Sequence, residues 1–237
     1  QHMPYVPPAP YDTMFLSAPG SKEGASLQEN VEHAKALYDG AIRYNDAVLG
    51  KLLEGMERLD LKDRTLVIVT SDHGEAFFAH GDLSGHQSSV YNDQIRVPLI
   101  LRLPGIAPAG RAIDAPVSLV DVVPTISNLL GIEHGAKMEG VSLLPLLHQD
   151  NSLKDRKIYS QETTGFVSGT TYACVIDGRR KCILDRTTGK VELYDLEADP
   201  DEQDDLAPAN PEMAEAYREH LVEWLRAEEK IAHRTER

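Results

Sequence analysis

The chain has 237 residues, 41% of them apolar, enough for one large domain or a domain with a subdomain and too many for global disorder. Twenty-four basic residues against 38 acidic ones leave a net charge of −14, which argues against nucleic acid and anionic membrane surfaces as partners, since both need a basic face. An anionic substrate must then be attracted by something other than net charge, and a bound metal is the usual device.

No stretch approaches the roughly 18 consecutive apolar residues of a membrane span, and no signal peptide is visible. The chain starts at Gln1, and Met3 lies inside a proline-rich motif, so it reads as a piece of a longer protein and leaves localisation open. Cys174 and Cys182 fall on neighbouring strand candidates. A cross-strand disulfide is one reading. Two half-buried thiols are the preferred one, because the spacing resembles no zinc site and a chain this long needs no staple.

Residues 1–20 hold five prolines and cannot be helix or central strand, while Tyr5, Tyr11 and Phe15 give the loop something to bury. From Leu27 to Leu59, apolar residues recur at three- and four-residue steps, predicting one long amphipathic helix with a Ser26/Glu29 capping box. Gly40 and Gly50 inside it predict close packing or a bend. Thr65–Thr70 is a β-branched, apolar strand, and Val97–Leu103 is a second. Residues 115–120 are short and extended. Asp121 is expected to cap a helix through Leu130 that stops at Gly131, and a short helix falls within 141–147.

A second regime starts near Lys157. Strand candidates at 158–162, 171–176, 181–184 and 191–196, with Asp177-Gly178 and Thr188-Gly189 between the last three, predict an antiparallel meander. The acidic run Asp199–Asp205 reads as a solvated face, and Pro211 opens a final amphipathic helix to about Ile231. The predicted domains are 1–155, an α/β part, and 156–237, a subdomain of antiparallel strands and a terminal helix.

The strand at 65–70 ends in Ser71-Asp72-His73-Gly74-Glu75, and His80 and His86 follow. A carboxylate and an imidazole at a strand end can reach one cation if the backbone kinks, and Gly74 would permit the kink. On the dipeptide alone a plain turn is the better reading. Glu75 and Asp82 could orient histidines, although a solvated loop acid is the default for each.

The order of motifs changes the weight. His2-Met3-Pro4-Tyr5-Val6-Pro7-Pro8, the helix segment Ala36–Asp46, Thr70–Glu75 with Ala79-His80-Gly81 and Arg96–Leu101, Ser118–Thr125, and Glu192–Leu196 with Asp199-Pro200 and Glu202 span nearly the whole chain. Together they resemble the sulfatase family of the alkaline-phosphatase-like superfamily. The resemblance implies an α/β fold with a mixed or parallel sheet flanked by helices, plus a small C-terminal antiparallel sheet and helix. It implies a sulfuric ester hydrolase using a divalent metal, calcium first and manganese or zinc as alternatives. It makes Asp72 and His73 metal ligands and His2 a contact to the transferred group. His86 stands where many relatives carry a lysine, and no lysine lies between Lys62 and Lys137, so His86 is expected to act as leaving-group acid or extra ligand. His80 matches a family histidine and is either substrate-binding or structural.

No Cys/Ser-x-Pro-x-Arg nucleophile motif occurs. The chain therefore looks like the C-terminal half of such an enzyme, needing the other half and inactive alone. A small-molecule or glycan sulfate ester is the expected substrate, and a periplasmic or secreted location follows from the resemblance. A phosphodiesterase, phosphonate monoester hydrolase or phosphoethanolamine transferase of the same superfamily is the first alternative. An inert fragment or binding module is the second.

Overall fold

The computed structural model describes residues 3–17, 25–81, 84–86, 89–133, 137–148, 150, 152–162 and 171–235. In chain order the elements are α1 (Leu27–Arg58), β1 (Val67–Thr70), β2 (Ala76–Phe77), β3 (Ser84–Gly85), α2 (Asn92–Ile95), β4 (Leu99–Arg102), a 3-10 turn (Leu119–Asp121), α3 (Val122–Leu130), α4 (Leu144–Leu147), β5 (Ile158–Glu162), β6 (Tyr172–Asp177), β7 (Arg180–Asp185), β8 (Val191–Asp195) and α5 (Pro211–Thr235). β1 pairs with β4, β2 with β3, and β5 to β8 form a four-stranded sheet in sequence order. No described helix is long and apolar enough to cross a membrane.

The chain divides into two compact units. The first comprises Gln1–Ile68, Ala76–Gly85 and Ile100–Ala107. Its main element, α1, starts as the sequence predicts. The Ser26 hydroxyl accepts the Glu29 N–H at 3.2 Å, and the Glu29 carboxylate accepts the Ser26 N–H at 2.8 Å. Two of the orphan N–H groups at a helix start are thereby satisfied. The proline loop lies on this helix through its aromatics. Tyr5 is buried edge-on against Tyr38, with ring centroids 5.3 Å apart, and Tyr11 leans on Tyr44. Gly40 is needed for that contact, because a Cβ there would stand 2.2 Å from the Tyr11 carbonyl oxygen. A Cβ on Gly50 would meet nothing within 4 Å, so of the close packing or bend expected there, close packing does not occur.

The second unit comprises Val69–Glu75, His86–Leu99 and Pro108–Arg237. Its centre is the predicted meander. β5–β6, β6–β7 and β7–β8 are all antiparallel. Ala173, Val175, Cys182, Leu184 and Leu193 form one face with Leu221 and Leu225 of α5. Cys174, Ile183 and Tyr194 form the other with Val90, which Tyr91 and Ile95 flank. Both faces are covered, so β6 and β7 are continuously apolar at their centres rather than alternating. Each fully buried Leu or Val contributes about 1.5–3 kcal/mol.

The register settles the cysteines. Cys174 opposes Ile183 and Cys182 opposes Val175, which places the two sulfurs on opposite faces. Both are free thiols and fully buried, not half-buried, and burial pushes them up to about 11 and about 12.

Two sequence expectations fail here for one reason: buried backbone N–H groups recruit nearby carboxylates. Asp121 precedes α3 but does not cap it with its side chain. Its carboxylate, fully buried, accepts the N–H groups of Ser118 and Val141 at 2.9 Å each and a two-pronged pair from Arg156. Burial alone would raise this carboxyl, but Arg156 and the two N–H groups outweigh it and hold it below the usual range. The acidic run is solvated only in part: Asp201 and Asp204 are exposed, but Glu202 and Asp205 are drawn into the fold. Glu202 is 2% exposed, with φ 55°, and pairs with fully buried Lys181 at 2.5 Å. Asp205 accepts the Leu193 N–H at 3.0 Å.

Candidate metal and substrate site

The loop after β1 is built by its own short side chains. Ser71 Oγ donates to the His73 carbonyl at 2.7 Å, and Asp72 Oδ1 accepts the His73 N–H at 3.1 Å. Such local bonds compete with strand pairing and end the strand. The chain then lies on the α2 turn. Gly74 N–H donates to the Gln94 carbonyl at 2.7 Å, and Glu75 N–H donates to the Asp93 carbonyl at 2.9 Å. Gly74 does not have the positive φ of a kink residue. Its missing side chain allows the close approach, since a Cβ would be 2.0 Å from the Asp93 oxygen.

His73 has a defined tautomer. Its Nδ1 is 2.7 Å from the Gly74 carbonyl oxygen, which can only accept, so Nδ1 carries the proton and the neutral ring has its lone pair on Nε2. That Nε2 lies 3.7 Å from Asp72 Oδ2. Asp72 is largely in solvent. Its own backbone N–H is the first cause that holds its carboxyl below the usual range. The His86 ring stacks on His73 with centroids 4.1 Å apart and an interplanar angle of 21°. His86 Nδ1 is 3.4 Å from Glu75 Oε1, and the Glu75 side chain is only 2% exposed.

The structure therefore brings Asp72, His73, Glu75 and His86 together within the second unit. His80 belongs to the first unit, half-buried in the turn after β2. His2 and Asp82 lie outside the described residues. Glu75 departs from its default reading as a solvated acid. An acid between a glycine and an apolar pair, Ala76-Phe77, is the signal that could have revealed its burial. Among the described residues, no group of three or more His, Cys, Asp or Glu side chains is placed to hold a metal ion. The Asp72–His73 pair nevertheless suits one as two of its ligands. A histidine whose other nitrogen donates to a backbone carbonyl is the usual form of a metal-ligating imidazole.

The sulfatase family model matches residues 1–132, and the model of the C-terminal region of N-sulphoglucosamine sulphohydrolase matches 86–230. The chain belongs to the sulfatase family, and its fold is alkaline-phosphatase-like. Human arylsulfatase K is 31% identical over 198 residues, which cover 80% of this chain and 36% of that protein. Choline-sulfatase of Rhizobium meliloti (strain 1021) is 32% identical over 186 residues, 76% of this chain and 34% of that protein. The chain thus spans about a third of the length of these relatives. Among solved structures, the yidJ protein of Bacteroides fragilis aligns over 95% of this chain and 51% of its own, with TM-score 0.80 and 21% identity. The phosphonate monoester hydrolase of Agrobacterium radiobacter aligns over 84% of this chain and 42% of its own, with TM-score 0.70 and 26% identity. A structure in complex with its substrate D-glucosamine-2-N,6-O-disulfate aligns over 84% of this chain and 41% of its own, with TM-score 0.72 and 25% identity.

Proposed function

We propose that this chain carries the metal-binding loop and leaving-group histidine of a metal-dependent hydrolase of sulfate esters. Family membership supports the reaction class. The observation that carries the site is the His73 tautomer: Nδ1–H donates to the Gly74 carbonyl, and Nε2, which carries the lone pair, is 3.7 Å from Asp72 Oδ2. Two donors at that separation can share one cation at bonds of about 2.0–2.5 Å. When bound, a divalent cation would polarise the nucleophile and the non-bridging oxygens of the transferred group. Calcium is the first assignment. The imidazole ligand keeps manganese and zinc as alternatives.

The chain's own residues supply positioning and proton transfer. The Glu75 carboxylate beside Nδ1 aims the His86 ring, and Nε2 of His86 is the nitrogen from which a proton would reach the leaving oxygen. His2 is assigned to the charge on the transferred group and His80 to substrate binding, both by motif. The sugar disulfate bound by one structural neighbour supports a small-molecule or glycan sulfate ester as substrate. The sequence has no nucleophile motif, so residues beyond these 237 are to supply it, and this chain alone is expected to be inactive. A periplasmic or secreted location belongs to the same proposal, and cell fractionation tests it.

One observation favours a second reading, phosphonate monoester or phosphodiester hydrolysis. No lysine lies between Lys62 and Lys137, and a phosphonate monoester hydrolase is among the structural neighbours. Turnover of 4-nitrophenyl sulfate, bis(4-nitrophenyl) phosphate and a phenylphosphonate monoester, by the longest protein its gene encodes and with each metal, separates the two. The sulfate ester should be preferred, and His86→Asn should lower kcat about 10²–10³-fold. Preference for the phosphorus esters would replace the first reading with the second.

A further inference from the structure

Lys181 and Glu202 are an ion pair with both side chains fully buried, Nζ to Oε1 2.5 Å. A buried pair costs so much desolvation that an apolar pair of similar size is often as stable, so its presence is weak evidence for a role in stability. Its surroundings indicate what it holds. Glu202 Oε2 accepts the Asn92 backbone N–H at 2.6 Å, and Lys181 donates to Asn92 Oδ1 at 3.1 Å. The Asn92 amide group also donates to the Pro200 carbonyl at 3.4 Å.

Asn92 begins the α2 turn. That is the turn whose next two carbonyls, Asp93 and Gln94, accept the N–H groups of Glu75 and Gly74. Gln94 is itself buried and donates from Nε2 to Ser89 Oγ at 2.6 Å. A continuous path therefore runs from β7 and the acidic turn, through Asn92, to the backbone one residue from His73. Gly74 leaves no slack in it, since even a Cβ would collide with the Asp93 oxygen. All of these residues lie in the second unit.

We infer that Lys181, Glu202 and Asn92 are positioning residues: the buried pair fixes the α2 turn, and the turn fixes the Asp72–His73–Glu75 loop. The functional meaning of this rests on the assignment of Asp72 and His73 as ligands, whereas the mechanical coupling does not. The meander is then a brace for the site as well as a separate core. The charge is kept because a carboxylate and an ammonium offer one directed acceptor and one directed donor to Asn92, which an apolar pair cannot.

The test is amide hydrogen exchange on the 237-residue chain, comparing wild type with Asn92→Ala and with Lys181→Met/Glu202→Leu. The double change removes both charges and so leaves no orphaned ion. The amides of Val175 and Cys182, in the β6–β7 core, report global stability. In both variants the Gly74 and Glu75 amides should exchange at least ten-fold faster than in wild type, beyond any change at Val175 and Cys182. The His73 ring resonances should shift with them. Gly74 and Glu75 amides that stay protected, or that change only in step with Val175 and Cys182, would overturn the inference. Asn92→Ala leaves the ion pair in place and keeps the test decisive if the double variant does not fold. Failure of the full-length protein to turn over any sulfate ester would remove the functional reading and leave the exchange result standing.

Discussion

Replacing Gly74 with alanine tests whether the loop is held by contact with the α2 turn. The new Cβ would lie 2.0 Å from the Asp93 oxygen, 3.0 Å from its carbonyl carbon and 3.3 Å from the Gln94 Cα. These are backbone atoms and cannot rotate away. If the fold keeps its geometry, overpacking costs about 1–3 kcal/mol. If the loop lifts off, the two hydrogen bonds to Asp93 and Gln94 are lost, about 1 kcal/mol each. The smaller of the two costs decides the outcome, so a loss of roughly 2 kcal/mol is expected. In urea unfolding this lowers the midpoint by about 1 M for a slope near 2 kcal/mol/M. Asparagine tolerates a left-handed backbone and would rescue a glycine kept for its φ, yet it carries the same Cβ. Gly74→Asn should therefore be at least as damaging as Gly74→Ala. A midpoint within about 0.2 M of wild type for alanine, or a clear advantage for asparagine, would refute the close-approach account.

Two further expectations follow from buried groups. Arg156→Met leaves the Asp121 carboxylate buried without its cation and should cost about 3–5 kcal/mol at neutral pH. The folded carboxyl is depressed, so its contribution is fully present above the unfolded value, near pH 4, and is lost as pH falls through the folded one. The gap between wild type and Arg156→Met in urea midpoint should therefore narrow below about pH 4, and a gap independent of pH would count against the ion pair. Cys174 and Cys182, with thiols pushed up to about 11 and about 12, should resist a disulfide reagent at pH 8 and react only on unfolding. Rapid labelling of the folded chain would contradict their burial.

Elements with a strong local signal were readable in advance. α1 has its periodic stripe and its capping box. The meander has short apolar runs separated by Asp-Gly and Thr-Gly turns, and Gly178 and Gly189 adopt φ of 59° and 76°. α5 runs past its expected end at Ile231 to Thr235. The short pieces were not readable. β2 and β3 have two residues each, and α2 has four, too few for any periodicity to register.

The site divides along the same line. The sequence by itself determined the family, the position of Asp72-His73 at a strand end, and the candidacy of His86, because these are matters of residue type, spacing and the order of motifs along the chain. It could not determine what surrounds them. Glu75 reads as a loop acid until the chain folds and buries it beside His86. Asp121 reads as a cap until Val141 and Arg156 arrive from 20 and 35 residues away. Glu202 reads as part of a solvated run until Asn92, 110 residues distant, offers it a buried N–H. Only the tertiary structure decided these roles, because a carboxylate's behaviour is set by the donors that surround it when water is excluded, and those donors come from distant parts of the chain.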